Sequence, residues 1–345
     1  MRSGDIVLLR GGEIGRLLAG NQLRVIDVVR AAYERHGAGE SSLPHSTFLR
    51  FPNDKESRII ALPAYLGGGF EVAGVKWVAS FPGNLKSGLD RASAVLVLNS
   101  PESGMPEAVM EGSIISAQRT AASAALAAKL LHQGLDHTRI GMIGCGLINR
   151  EILRFLHAVF PHVERVVIFD KSDLRAAQFA EKCRSLLPEV RFIVAREIEE
   201  VFREASLISF ATTAEEPHVF DLSDCVPGTT ILHISLRDLS PDVILSCDNV
   251  VDDLDHVCRA QTSIHLTEQR TGRRDFVRCS LPEVLRGVAS HRDGNRAVTV
   301  FSPFGLGLLD IAVGDLVRDL ALAEGIGTVI DSFLPEPWVE TASYA

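Results

Sequence analysis

The stretch Arg139-Ile-Gly-Met-Ile-Gly-Cys-Gly-Leu-Ile-Asn149 joins an apolar run to a glycine-rich turn. We predict a buried strand over residues 139–144, followed by the turn and the start of a helix. Gly144 and Gly146 match the first two glycines of the G-x-G-x-x-G pattern, which let a pyrophosphate approach the helix N-terminus. Asn149 occupies the third position, where Gly or Ala is usual. The segment is therefore typical of a dinucleotide site.

An acidic residue follows at the expected distance. We predict a second strand over residues 165–170, so that Asp170 ends it, 24 residues after Gly146. A carboxylate at this place accepts hydrogen bonds from ribose hydroxyls and repels a 2′-phosphate, which favours NAD over NADP. Lys171 and Arg175 leave NADP open as an alternative. A glycine turn and a strand-end aspartate without any ligand are the other alternative.

Strands and helices alternate beyond this point of the sequence. Further strands are predicted at residues 191–195, 207–211, 230–235 and 249–252, and helices at residues 148–159, 174–186 and 197–204. Near-continuous apolar strands that alternate with helices indicate an α/β fold with a Rossmann-type, doubly wound parallel sheet. Sheets of this class bind their ligands at the carboxyl ends of the strands.

The first hundred residues have a different character. Short strands separated by turns are predicted at residues 6–10, 58–64, 74–79 and 94–99. One amphipathic helix is predicted at residues 22–35. An Ala-rich helix over residues 113–132 and a final helix over about 306–324 flank the Rossmann-type region. We therefore predict two domains: an α+β domain built from both chain ends, 1–117 and 307–345, and a Rossmann-type domain, 118–306, with a connecting helix at 118–132.

The composition is that of a globular protein. The chain has 345 residues, of which 46% are hydrophobic and 23% charged, and a net charge of −9. This charge argues against nucleic acid or an anionic membrane as the main partner. No apolar run is long enough to span a membrane and no secretion signal is visible, so we expect a cytoplasmic protein. The six cysteines form no C-x-x-C pair, and His256 and Cys258 lack further ligands, so no metal site is expected.

Several polar residues lie where a parallel sheet would bring them to a ligand. Thr212 and Ser235 follow predicted strand ends, and Asp238 follows the same apolar run as Ser235. Asp238 is either a general base or a helix N-cap, because Leu-Ser-Pro comes next. Lys76 interrupts an apolar strand, where a lysine is costly unless it is paired or functional. A lysine that keeps an edge strand solvated is the other interpretation.

Basic residues add a second pattern. Arg119 interrupts the Ala-rich helix and is suited either to bind a carboxylate through paired hydrogen bonds or to form an interdomain salt bridge. Arg50, Arg58 and Arg91 concentrate positive charge in the first domain of an acidic chain. This concentration indicates a substrate with more than one carboxylate. His233 is interpreted as a core histidine rather than a catalyst.

These motifs together resemble the ornithine cyclodeaminase/μ-crystallin family over nearly the whole chain. The motifs that carry the resemblance are Gly74-Val-Lys-Trp77, Ile115-Ser-Ala-Gln-Arg-Thr-Ala121, Gly144-Cys-Gly146 and Phe301-Ser-Pro-Phe-Gly-Leu-Gly-Leu-Leu-Asp310. Further segments resemble the branch that oxidises N-(2-amino-2-carboxyethyl)-L-glutamate in 2,3-diaminopropionate biosynthesis: Ile60-Ala-Leu-Pro-Ala-Tyr-Leu-Gly-Gly68, Lys76-Trp-Val-Ala-Ser-Phe-Pro82, Arg91-Ala-Ser-Ala94, Ile143-Gly-Cys-Gly-Leu-Ile-Asn149 and His233-Ile-Ser-Leu-Arg-Asp238.

The resemblance implies an NAD-dependent dehydrogenase that acts on the CH–NH group of a secondary amine. It implies a homodimer joined through substrate-binding first domains, with NAD in the second domain and 2-oxoglutarate and L-2,3-diaminopropionate as products. It implies catalytic roles for Lys76 and Asp238 and carboxylate binding by Arg50 and Arg119, to which we add Arg91. The expected cofactor contacts are Gly144, Cys145, Gly146, Leu147, Ile148, Asn149, Asp170, Thr212, Ser235 and Leu236.

Three other functions remain open from the sequence. They are an ornithine cyclodeaminase-type ammonia lyase, a ketimine-reducing or alanine dehydrogenase-like enzyme, and a non-catalytic μ-crystallin-like binder of a dinucleotide and a small ligand. Cyclodeaminases have a Gly-Gly-Asp-rich segment where this chain has Ser-Leu-Arg before Asp238, and Asp-Ser where it has Ser302-Pro303. Both departures argue against ornithine cyclisation. The presence of Lys76 and Asp238 argues against a mere binder.

Overall fold

The computed structural model describes residues 4–294 and 296–335 of the chain. These residues form two compact units. Unit 1 contains residues 4–21, 39–116 and 307–335, and unit 2 contains residues 22–38, 117–294 and 296–306. The outermost parts of the predicted first domain, residues 1–3 and 336–345, lie outside the described residues.

The strands and helices of the described residues are numbered in chain order. The strands are β1 Ile6–Leu9, β2 Ser41–Ser42, β3 Thr47–Phe51, β4 Asp54–Leu66, β5 Val72–Ser80, β6 Ala92–Asn99, β7 Pro106–Glu111, β8 Arg139–Ile143, β9 Arg165–Phe169, β10 Arg191–Val194, β11 Leu207–Phe210, β12 Thr229–His233, β13 Asp248–Val251, β14 Val277–Ser280, β15 Val298–Ser302 and β16 Thr328–Ile330. The helices are α1 Gly11–Leu18, α2 Gln22–Gly37, α3 Ser113–Leu131, α4 Leu147–Val159, α5 Asp173–Arg184, α6 Ile198–Glu204, α7 Pro241–Ser246, α8 Leu254–Val257, α9 Ser263–Thr271, α10 Leu281–Leu285 and α11 Gly307–Glu324, with a short 3-10 turn at Pro82–Ser87.

Unit 2 is built on a parallel sheet with the strand order β10-β9-β8-β11-β12-β15-β13-β14. All of its described strand pairs run parallel. Strands β11, β12, β13 and β15 are buried along their whole length, as expected for a sheet covered on both faces. The chain proceeds from β8 to β9 and β10 on one side and then to β11 on the other, so the topological switch point lies between β8 and β11. The predicted Rossmann-type parallel sheet is therefore confirmed.

Unit 1 contains a mixed sheet with the order β16-β1-β7-β6-β5-β4-β2. Strand β3 pairs with the first part of the long strand β4, and β2 pairs with its end. Helix α11 covers one face of this sheet, since a Cβ added to Gly74 of β5 would lie 3.1 Å from the Ile311 side chain of α11. Residues of β5 alternate between the two faces, so Lys76 lies on the face that α11 covers and Trp77 on the other. Leu49, Trp77 and Val95 leave that second face apolar and exposed.

One element belongs to a different unit from the predicted one. Helix α2, predicted within the first domain, belongs to unit 2. Its Tyr33 hydroxyl is 2.8 Å from the Ser123 hydroxyl of α3, and both groups are buried. Gly37 at its end packs closely against Pro282 of α10. The local amphipathic pattern predicts that the helix exists, but these partners lie far away in sequence.

No helix within the described residues has the length and apolar character needed to cross a membrane.

Candidate functional site

The turn after β8 is shaped by two glycines with different requirements. Gly144 has a φ of +88°, and a Cβ at this position would lie 2.5 Å from the carbonyl oxygen of Ala211, just beyond β11. Gly146 is the N-cap of α4, and a Cβ added there meets nothing within 4 Å. Helix α4 therefore begins without a side-chain cap, and the space beside its N-cap residue is open. This arrangement suits a phosphate group.

Asn149 supports the turn from inside unit 2. Its Nδ2 donates to the carbonyl oxygens of Ile143 and Gly144, at 2.9 and 2.7 Å. Its Oδ1 accepts a hydrogen bond of 2.7 Å from the hydroxyl of Ser209. The side chain is fully buried, so it holds the glycine turn instead of reaching a ligand. This role explains how the chain departs from the usual glycine at the third position, and it corrects the expectation that the Asn149 side chain contacts a cofactor.

Asp170 lies beside the turn, as the spacing indicates. Its Oδ2 accepts a hydrogen bond of 2.8 Å from the Cys145 N–H, and its Oδ1 accepts one of 2.9 Å from the Ser172 N–H. The carboxylate is thereby fixed at the ends of β8 and β9. Burial raises the pKa of the Cys145 thiol to about 12, so this thiol is neutral near pH 7 and is not a nucleophile. Of the next two predicted contacts, Leu147 is exposed and Ile148 is half-buried.

Asp238 is the centre of a polar group at the carboxyl ends of β11 and β12. Its side chain is 0% exposed. The Nε2 atoms of His218 and His233 lie 3.1 and 3.2 Å from its two carboxylate oxygens. The hydroxyls of Thr212 and Ser235 also donate to this carboxylate. Burial acts to raise the pKa of Asp238, but the hydrogen bonds from His218 and His233 and the charge of His233 outweigh it, so this pKa lies well below its usual range.

These contacts alter the roles expected from the sequence. The hydroxyls of Thr212 and Ser235 are directed to Asp238, while the cofactor contacts expected of these two residues stay a prediction. Asp238 is not a helix N-cap, because Ser240 caps α7 by accepting from the Val243 N–H. Sequence reasoning did not single out His218, although its position after a strand end and a proline was a usable signal.

The loop between β12 and Asp238 has an unusual backbone. Leu236 has a φ of +70°, a conformation that costs a residue with a side chain about 1–3 kcal/mol. Its carbonyl accepts a hydrogen bond of 2.7 Å from the Ser263 N–H, and the Arg237 guanidinium donates to the Ala260 carbonyl at 2.7 Å. These bonds hold the strained loop. Such strain is concentrated at functional sites.

Lys76 forms a buried ion pair in unit 1. Its side chain is 3% exposed, and its Nζ lies 2.7 Å from Asp310 Oδ2 and 3.1 Å from the Ser116 hydroxyl. Strand β5 lies between β4 and β6, so the alternative of an edge-strand lysine is excluded. Asp310 lies in the first turn of α11, where a carboxylate also interacts favourably with the helix dipole. Asp310 was not predicted as the partner of Lys76, although an acidic residue in an apolar helix is a usable signal.

Arg119 is buried in unit 2 next to the loop that follows β15. Gly305 in this loop has a φ of +91°, and a Cβ there would lie 2.8 Å from Arg119 Nη1. The loop is held by Asp252, whose carboxylate accepts hydrogen bonds of 2.8 Å from the N–H groups of both Phe304 and Gly305. Burial raises the pKa of Asp252. Asp252 was missed from the sequence because no local pattern links it to a loop more than fifty residues away.

Three arginines of unit 1 lie at or beside paired positions of β3, β4 and β5. Arg50 of β3 lies opposite Arg58 of β4, and Arg58 lies opposite Ser80 of β5. Arg91 Nη1 donates a hydrogen bond of 3.1 Å to the Ser80 hydroxyl. Because Ser80 is four residues after Lys76 on one strand, Arg50, Arg58 and Ser80 lie on the same sheet face as Lys76. We call Arg50, Arg58 and Arg91 the arginine row.

Two histidines named in the sequence analysis have structural partners. His233 is fully buried and its Nδ1 lies 3.1 Å from the Ser302 hydroxyl, as a core histidine would. His256 Nδ1 lies 2.9 Å from Asp253 Oδ1. Within the residues that the structure describes, no group of three or more His, Cys, Asp or Glu side chains is arranged to hold a metal ion.

The parallel sheet with a glycine turn and a strand-end carboxylate defines an α/β protein with a Rossmann-type unit. Residues 12–325 match the model of the ornithine cyclodeaminase/mu-crystallin family, and the chain belongs to this family. It is 30% identical to the N-((2S)-2-amino-2-carboxyethyl)-L-glutamate dehydrogenase of Staphylococcus aureus, over 91% of this chain and 95% of that protein. It is 29% identical to the alanine dehydrogenase of Archaeoglobus fulgidus, over 95% of this chain and 99% of that protein.

Two solved structures share the fold over nearly the whole chain. The Δ1-pyrroline-2-carboxylate reductase of Thermococcus litoralis, in complex with NADH and L-proline, has a TM-score of 0.87 and 28% identity and covers 94% of this chain and 99% of its own. An archaeal alanine dehydrogenase dimer with bound NAD has a TM-score of 0.84 and 27% identity, with coverage of 95% and 99%.

Proposed function

We propose that this protein is an NAD-dependent dehydrogenase that converts N-(2-amino-2-carboxyethyl)-L-glutamate, NAD+ and water into 2-oxoglutarate, L-2,3-diaminopropionate, NADH and a proton. The observation that carries the proposal is the arginine row on the sheet face of Lys76. This substrate has three carboxylates, whereas ornithine, alanine and proline each have one. The 30% identity to the Staphylococcus aureus enzyme of this name supports the same substrate.

The residues of unit 2 fit NAD. The uncapped start of α4 and the open space at Gly146 suit the pyrophosphate, and the fixed carboxylate of Asp170 suits a ribose diol. Since Asp170 would repel a 2′-phosphate, we assign NAD rather than NADP. NAD+, when bound, supplies the acceptor for the hydride of the carbon next to the substrate nitrogen. We assign dinucleotide binding to unit 2, and substrate binding and dimerisation to unit 1.

The chain's own residues bind carboxylates and move protons. Arginine guanidiniums bind carboxylates through two parallel hydrogen bonds, and we assign this role to Arg50, Arg91 and Arg119. The substrate nitrogen must lose a proton before oxidation, and water must lose one when it adds to the C=N carbon. We assign these transfers to the group around Asp238. Because Asp238 has no exposed surface, its part in them is indirect. We assign to Lys76, an ammonium paired with Asp310, the stabilisation of negative charge on the substrate in unit 1.

A second copy of the chain is the partner that we propose for the open face of the unit 1 sheet. Trp77 is 44% exposed on this face, together with Leu49 and Val95. Exposed apolar patches of this kind mark interaction surfaces. The archaeal alanine dehydrogenase of the same fold is described as a dimer. We further propose that the enzyme is cytoplasmic, because all six cysteines are free. We also propose that its product is a precursor of siderophores or antibiotics.

The test is absorbance at 340 nm with NAD+ and the glutamate conjugate, with L-ornithine, L-alanine and buffer in parallel. We expect NADH to appear in equal amount with 2-oxoglutarate from the conjugate alone. Ammonia and proline from ornithine, NADH from alanine only, or no turnover of any of them despite NAD binding would each contradict the proposal.

The arginine row is tested by Arg91→Gln, which should raise KM for the conjugate at least tenfold. The matched control is Arg24→Gln, since Arg24 is exposed on α2. An unchanged KM in Arg91→Gln would remove this residue from substrate binding.

A further inference from the structure

The segment around His218 is fixed against Asp238 by its backbone. The N–H groups of His218 and Val219 each donate a hydrogen bond of 2.9 Å to the Asp238 carbonyl, and the Ser240 N–H donates one of 2.9 Å to the Val219 carbonyl. Val219 and Leu239 form an isolated parallel bridge. The segment leaves β11 and Asp238 follows β12, so His218 lies at the carboxyl ends of two neighbouring strands. Ligands of an open parallel sheet bind at these ends.

His218 is the accessible histidine of this group. Its side chain is 25% exposed, whereas those of Asp238 and His233 are 0% exposed. The other positions around the carboxylate are occupied by His233 and by the hydroxyls of Thr212 and Ser235. A proton that passes between this buried carboxylate and a ligand must therefore cross one of its hydrogen-bonded partners. Of the two imidazoles bonded to the carboxylate, that of His218 is the one with exposed surface, and an imidazole can both accept and donate a proton.

The geometry selects one tautomer of His218. Asp238 is ionised because its pKa is below its usual range, so its Oδ1 acts as an acceptor. The nitrogen 3.1 Å away, Nε2, therefore carries the proton, which leaves the lone pair on Nδ1. A buried carboxylate that holds an imidazole in this way fixes its tautomer and stabilises its protonated form. His233 contacts the other carboxylate oxygen at 3.2 Å, and the Ser302 hydroxyl lies 3.1 Å from its far nitrogen.

We propose that His218 is the catalytic base of the reaction, and that Asp238 and His233 are positioning residues that act through it. The proposal rests on the proposed function. His218 Nδ1 takes the proton of the secondary ammonium, which leaves the lone pair on the substrate nitrogen that forms the C=N bond. The partial exposure of His218 lets this proton pass to solvent.

The hydrolytic half of the reaction uses the same nitrogen. When water adds to the C=N carbon, the new C–O bond forms and His218 Nδ1 takes a proton from the water. This proton returns to the substrate nitrogen as the C–N bond breaks, and the electrons of that bond stay on nitrogen. The alcohol proton of the carbinolamine is released as its C=O forms, and the departing amine takes up a proton to become an ammonium, so one proton is released per turnover. No oxidant other than NAD+ is required.

The first test is His218→Ala, with His218→Asn as a second variant in case the first does not fold. We expect kcat for the conjugate to fall at least 100-fold, which is within the range for loss of a general base. Added imidazole should raise the kcat of the variant at least tenfold. Kd for NAD+, measured by fluorescence, should stay within twofold. The matched control is His157→Ala on α4, whose side chain is 27% exposed. This control should keep its kcat and ignore imidazole.

The second test needs no turnover. Imidazole ¹⁵N spectra of the unliganded protein should show His218 protonated at Nε2, and Asp238→Asn should remove this preference. Protonation of neutral His218 at Nδ1 would overturn the proposal, and so would an unchanged kcat in His218→Ala. If the wild type itself does not oxidise the conjugate, the proposed function fails. If the wild type turns over and His218→Ala does too, only the assignment of His218 fails.

Discussion

Replacing Gly144 by alanine should destabilise unit 2 by an amount that follows from its surroundings. The new Cβ would lie 2.5 Å from the Ala211 oxygen, 2.9 Å from the Ala211 carbonyl carbon and 3.2 Å from the Thr212 Cα. All three are backbone atoms, so no side chain can rotate away. Overpacking of this kind costs about 1–3 kcal/mol. The φ of +88° adds about 1 kcal/mol for a residue with a Cβ.

These contributions amount to about 2–4 kcal/mol. For a unit of this size, each kcal/mol lowers Tm by about 2–4 °C, so we expect Tm to fall by roughly 4–16 °C. The measurement is calorimetry of the protein without NAD. Gly146→Ala is the matched control, since its Cβ would meet nothing within 4 Å. We expect its Tm to stay within about 2 °C of the wild-type value, because surface substitutions change stability by about 0.5 kcal/mol or less.

The affinity for NAD+ should respond mainly to the other substitution, Gly146→Ala. In Gly146→Ala the added methyl group occupies the space through which the pyrophosphate approaches α4, so Kd for NAD+ should rise at least tenfold, about 1.4 kcal/mol. Fluorescence titration of both variants gives this number. A wild-type Tm for Gly144→Ala would refute the close approach of the turn to β11. A wild-type Kd for Gly146→Ala would refute the dinucleotide site at this turn.

Three further outcomes are expected. Asp310→Asn removes the charge partner of the buried Lys76 ammonium and should cost about 3–5 kcal/mol in urea unfolding, whereas an unchanged midpoint would contradict a buried ion pair. Burial lowers the pKa of His132 from 6.5 to about 4, so between these values the unfolded chain binds the additional proton and stability falls as the pH falls. The loss attributable to His132 is about 2 kcal/mol between pH 7 and pH 5, and His132→Gln should remove it; an equally steep fall in this variant would exclude His132 as the cause. Trp77→Lys should produce a monomer in sedimentation velocity, and a persistent dimer would mean that another surface joins the subunits.

The elements of unit 2 were largely predictable because their signals are local. The apolar runs of β8, β9 and β11 and the glycines between β8 and α4 lie within single short segments, and each fits one element type. Strand β15 is buried throughout yet was not predicted. In unit 1, β7 was missed as well. It pairs in parallel with β1, about a hundred residues earlier, so its environment is created by distant parts of the chain.

The sequence by itself determined the Rossmann-type sheet, the glycine turn, the carboxylate of Asp170 and the identity of Lys76 and Asp238 as unusual polar residues. Hydrophobic period, turn chemistry and spacing along one segment are sufficient for these features. Only the tertiary structure decided that Asn149 supports the turn, that Lys76 is neutralised by Asp310, and that Asp238 is buried behind His218. The physical reason is that burial and hydrogen-bond partners depend on which strand ends meet in space, and the separations involved, such as 234 residues between Lys76 and Asp310, carry no local signal.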